Sequence, residues 1–165
     1  MHWQLLMKKG NGCFEEQQWT KAELYYKSAY SQLEGLWLQD VEYESLLMAW
    51  ICACQNLATL FETQGEYDRS IGYLVKAYQE AFNTSQNSIA SNSLRGLAFS
   101  ALGTTLKGIL HFTAKYPTCE HCLLQLNRLQ QTIECQADVV HSVRGIVLYE
   151  YGVHCKVDIL VYFFG

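Results

Sequence analysis

From Leu57 to Tyr78 the chain reads LATLFETQGEYDRSIGYLVKAY, and its apolar residues return at helical intervals. Leu57, Ala58 and Phe61 share one helical face, and Ser70, Leu74 and Ala77 share another. Gly65 stands between them. Lacking a Cβ, it adopts a left-handed conformation at low cost, which ends one helix and turns the chain into the next. The small residues Ala58 and Ser70 let the two backbones approach where they cross, so the stretch predicts a helical hairpin. The same spacing runs from Gly10 through Cys13, Gln17, Ala22, Tyr26 and Ala29, with Trp19 where Tyr67 stands after the turn. A looser copy runs from Gly96 through Phe99, Gly103, Gly108, Phe112 and Lys115. Repetition of this kind predicts three hairpins, over residues 2–34, 40–83 and 86–115.

The spacing between copies is uneven. Gly10 and Ala58 are 48 residues apart, whereas Ala58 and Gly96 are 38 apart. The longer insert, EGLWLQDVEYESLLM, keeps Leu36, Val41 and Leu47 as apolar anchors and is expected to lengthen its helices. The shorter one opens with NTSQN, a polar loop that leads to helix-capping residues. Beyond Lys115, Pro117 and Thr118 introduce a stripe of Leu123, Leu126, Leu129 and Ile133, which predicts a helix over 118–134 that caps the array. Residues 137–165 fit either a helix or a β-hairpin; a helix over 137–151 suits an all-helical body better.

KGNGCFEEQQWTKAELYYKSAY and NLATLFETQGEYDRSIGYLVKAY resemble two members of the tetratricopeptide repeat (TPR) family, and LRGLAFSALGTTLKGILHF resembles a degenerate third. The resemblance implies an all-α fold of antiparallel hairpins, stacked as a short TPR-like array or a compact bundle of about six or seven helices in one domain. The family period is about 34 residues, so the longer spacing here favours the compact bundle. The resemblance also implies a non-enzymatic adaptor that holds a protein or peptide on the first helices of each pair. That surface would comprise Gln4, Met7, Asn11, Phe14, Gln55, Asn56, Thr59 and Ser93. Asn11 and Asn56 match the asparagines with which one branch of the family grips a terminal carboxylate. The cations of that grip do not match, because Met7, Ala90 and Leu94 stand where Lys or Arg would be. Without fixed positive charge a carboxylate tail gains little, so such a ligand is not expected.

Composition narrows the alternatives. Hydrophobic residues make up 50% and charged residues 17% of 165 positions, enough to build a core and too apolar for a disordered tail. The net charge of −4 offers no basic field for nucleic acid or an anionic membrane. The apolar runs LLMAWICAC and VDILVYFF are shorter than the ~20 residues of a membrane helix. The opening MHWQLLMKKG puts its lysines after the apolar run, the reverse of a secretory leader, so a cytoplasmic setting with reduced thiols is expected.

Among chemical motifs, CEHC is the sharpest. Cys119 and Cys122 would share a helical face near a helix N-terminus, where the dipole favours thiolate. A thiol-redox or zinc-binding regulator is therefore an alternative, with Cys135 and His141 as further zinc ligands. An unbroken helix over 119–134 would hold Cys135 roughly 20 Å from Cys119, so core packing of the thiols is preferred and no cofactor or metal is expected. GxSxG, P-loop, HExxH and GxGxxG patterns are absent and the histidines are scattered, so no catalytic residue is expected. Tyr25, Tyr26, Tyr30, Trp37, Tyr43 and Trp50 read as core packing in preference to a side-chain pocket. A further alternative is homo-oligomerisation through VDILVYFF.

Overall fold

The computed structural model describes residues 2–39 and 44–116, and these form five α-helices: α1 Trp3–Glu15, α2 Trp19–Gln39, α3 Glu44–Thr63, α4 Tyr67–Gln86 and α5 Asn92–Lys115. No strand occurs among the described residues. The expected helix at 118–134 and the ambiguous segment 137–165 lie outside them, as does Val41. The chain divides into two compact units, the first containing Met1–Ala77 and the second starting at Tyr78, so that the division falls within α4.

In the first unit α1 buries Trp3, Leu6, Met7 and Gly10, one stripe at helical spacing. α2 answers with Ala22, Tyr26, Ala29, Tyr30, Leu33 and Trp37. The crossing of these helices shows why Gly10 is small. A Cβ placed on it would stand 2.5 Å from Cδ1 and Cε1 of Tyr26, a ring only 1% exposed. α3 is buried around most of its circumference, with Leu47, Ala53, Cys54, Leu57, Leu60 and Phe61 all fully enclosed. Its segment Ser45–Thr63 is long and apolar enough to cross a membrane by length and composition, but most of it is buried within the protein, as in the core helix of a globular fold. The run LLMAWICAC is by itself too short to span, but the helix carries its apolar character on past Gln55, Asn56 and Thr59 to Thr63.

Both hairpin turns close in the same way. After α1 the amide of Gln17 donates to the Phe14 carbonyl (3.0 Å) and that of Gln18 to the Cys13 carbonyl (2.8 Å). After α3 the amide of Gly65 donates to Glu62 (3.0 Å) and that of Glu66 to Phe61 (2.8 Å). The turning residue is left-handed in each, Gln17 at φ 59° and Gly65 at φ 77°. Paired donors of this kind satisfy the carbonyls a helix end leaves open, and they let Gln17 hold a conformation that Gly adopts more cheaply.

The second hairpin lies beside the first. Asn11 of α1 meets Asn56 of α3, while on the other side Glu23, Tyr30 and Glu34 of α2 meet Arg69 and Lys76 of α4; these contacts join residues 42 to 46 apart. The near-constant shift from Glu23–Arg69 to Tyr30–Lys76 means that the second helices, α2 and α4, run parallel to each other. The insert does lengthen α2, but its anchor is Trp37 (6% exposed) in place of Leu36, which is 38% exposed. The polar stretch NTSQN is largely helical, being the end of α4, and Ser91 caps the next helix by accepting from the Leu94 amide (3.2 Å).

The expected third hairpin over 86–115 is not formed. α5 is one helix that runs through both Gly96 and Gly103, so the described residues contain five helices where three hairpins would have six. The reason lies in phase. Leu94, Ala98, Ala101, Leu102, Thr105, Leu106, Ile109 and Phe112 keep a single buried stripe in register across Gly103, whereas the stripe before Gly65 does not continue beyond it. Opposite effects should follow at these two glycines. Gly65→Ala should lower stability by about 1 kcal/mol or more, the cost of a left-handed alanine. Gly103→Ala, with nothing within 4 Å of its added Cβ, should raise stability by roughly 0.5–1 kcal/mol. Urea titrations of the two variants measure both signs.

Candidate functional site

The asparagines expected on the binding surface come together. Nδ2 of Asn56 donates to Oδ1 of Asn11 at 3.3 Å, and the same oxygen accepts the Tyr26 hydroxyl at 2.8 Å. Local structure accounts for the meeting: Asn11 follows the glycine that admits the Tyr26 ring, and the ring in turn carries its hydroxyl to the seam between α1 and α3. Asn56 is 3% exposed and Asn11 half-buried. Asn11 thus accepts from both Asn56 and Tyr26 within the protein, an internal role that the resemblance to the clamp asparagines does not imply. Tyr26 was placed among the core aromatics; its part in this polar cluster was legible only as an aromatic one helical turn from Ala22 and Ala29.

The other expected residues are distributed unevenly. Gln55 and Thr59 are half-buried one turn apart on α3, with the Thr59 hydroxyl donating to the Gln55 carbonyl at 3.0 Å. Phe14 is half-buried and packs edge-on against Trp19, ring centroids 5.3 Å apart. Gln4 is exposed. Met7 is buried at 3% exposure and belongs to the core stripe of α1. Ser93 is exposed on α5 and belongs to the second unit. What remains of the expected surface is the seam where α1 meets α3, with the half-exposed Asn11 and Phe14 on one helix and Gln55 and Thr59 on the other.

The opposite seam, between α2 and α4, is charged and aromatic. Arg69 bridges Glu23 (2.8 Å) and Glu66 (2.5 Å) and lies over Phe61, 3.7 Å from the ring centroid. Lys76 contacts the Tyr30 hydroxyl and the Glu34 carboxylate (3.1 Å). Tyr30 donates to Glu34 at 2.7 Å and packs against Trp50 and Tyr73. The Lys27 hydrogen bond, reinforced by Arg69, holds the Glu23 carboxyl below its usual range against the opposing effect of burial. For Glu34 burial pushes upward, but the hydrogen bonds from Tyr30 and Lys76 outweigh it and lower its pKa. Burial and the Glu34 hydrogen bond push the Tyr30 phenol well above its ordinary value. Each group here answers a neighbour, an arrangement that pins register between helices.

Cys52 and Cys54 are buried in α3, as core packing requires, and Cys13 is a half-buried free thiol. Cys119 and Cys122, with Cys135 and His141, lie outside the described residues. Tyr26, Tyr30, Trp37 and Trp50 are buried, in keeping with a core role, whereas Tyr25 is only half-buried with Lys9 over its ring; Tyr43 lies outside the described residues. Tyr26→Phe should cost about 1 kcal/mol through loss of the hydroxyl that Asn11 accepts, read as a lower urea midpoint with an unchanged slope.

The described residues therefore define an all-α protein in which two helical hairpins lie side by side. The chain belongs to DUF2753, a family of proteins of unknown function, whose model matches residues 1–144. No curated protein and no solved structure matches it.

Proposed function

We propose that the protein is a non-enzymatic, TPR-like adaptor of the cytoplasm that binds a protein or peptide partner along the seam of α1 and α3. The observation that carries this reading is the Asn11–Asn56 pair, which sets the two first helices side by side with Gln55 and Thr59 half-exposed next to it. Amides and hydroxyls suit the backbone of an extended segment, which needs both donors and acceptors, and the Phe14 edge suits an apolar side chain. The hairpins' constant shift of 42 to 46 residues supports a repeat arrangement, although only two hairpins stand among the described residues.

A photoreactive amino acid placed singly at Gln4, Gln55 and Thr59 tests the proposal in cells. Discrete adducts are expected from these positions and none from Lys21 or Asp68, which are exposed on the second helices. Adducts from all five positions alike, or from none, would overturn the assignment. An adduct of twice the monomer mass would replace the partner with a second copy of the chain.

A further inference from the structure

We draw no further inference here: the strongest candidate, the Tyr30–Glu34–Lys76 cluster against Trp50 on the seam of α2 and α4, belongs to the inter-helix contacts already described, its hydroxyl, carboxylate and ammonium bonding one another, and nothing in the structure points to a ligand there.

Discussion

Gly10→Val should destabilise the first unit by about 3 kcal/mol, although the same exchange in an open helix is mildly favourable. The new Cβ alone would stand 2.5 Å from two ring carbons of Tyr26. The ring has nowhere to go, because it is 1% exposed and its hydroxyl is tied to Asn11. Relief must come from moving α1 away from α2, which also loosens the contacts of Leu6 and Met7. Gly12→Ala is the control: two residues along the same helix, its added Cβ meets nothing within 4 Å, and a gain of roughly 0.5–1 kcal/mol is expected. Urea denaturation followed by tryptophan fluorescence distinguishes the pair. A Gly10→Val protein that unfolds at the wild-type midpoint would mean that these helices do not cross at Gly10.

Phe61→Ala should cost about 3–5 kcal/mol, the range for emptying a large buried ring site. Phe61 is fully enclosed, stacks on Tyr73 with centroids 5.7 Å apart, and carries the Arg69 guanidinium on its face. Truncation therefore removes an aromatic contact between α3 and α4 and the ledge under a bridging cation. Arg69→Ala makes the complementary measurement. Arg69 and Glu66 side chains are each 41% exposed, so solvent screens their pairing and a loss of no more than about 1 kcal/mol is expected. Near-equal losses from the two substitutions would show that charge, not packing, holds this hairpin.

Where local chemistry and helical phase agreed, the sequence alone was sufficient. The left-handed turn at Gly65 and the small residue at Gly10 were legible because each is demanded by backbone geometry within a few residues. The matching turn at Gln17 was placed by spacing alone, since a glutamine carries no sign of positive φ; the Gln18–Cys13 and Gln17–Phe14 hydrogen bonds supply the compensation. Gly103 misled because a glycine at the expected position looks the same in a turn as inside a helix. Only the unbroken stripe from Leu94 to Phe112 separates the two cases. Asn11 and Asn56 stand out in the sequence only as two amides expected to face a partner, and nothing in their spacing shows that one bonds the other. The bond from the Asn56 amide to the Asn11 oxygen, shared with Tyr26, depends on a contact between residues 45 apart.

Hydrophobic spacing by itself determined that the described residues are helical, that α1 pairs with α2 and α3 with α4, and, with Met7 and Leu36 as exceptions, which faces are buried. Those properties arise from periodicity and from residues within one turn of each other. Tertiary structure alone decided that Met7 is core rather than surface, and that the two hairpins lie side by side with Asn11 against Asn56 and Lys76 against Glu34. The physical reason is range. A helix face is specified by residues three or four apart, whereas what that face touches is settled by packing between segments the chain itself keeps far apart.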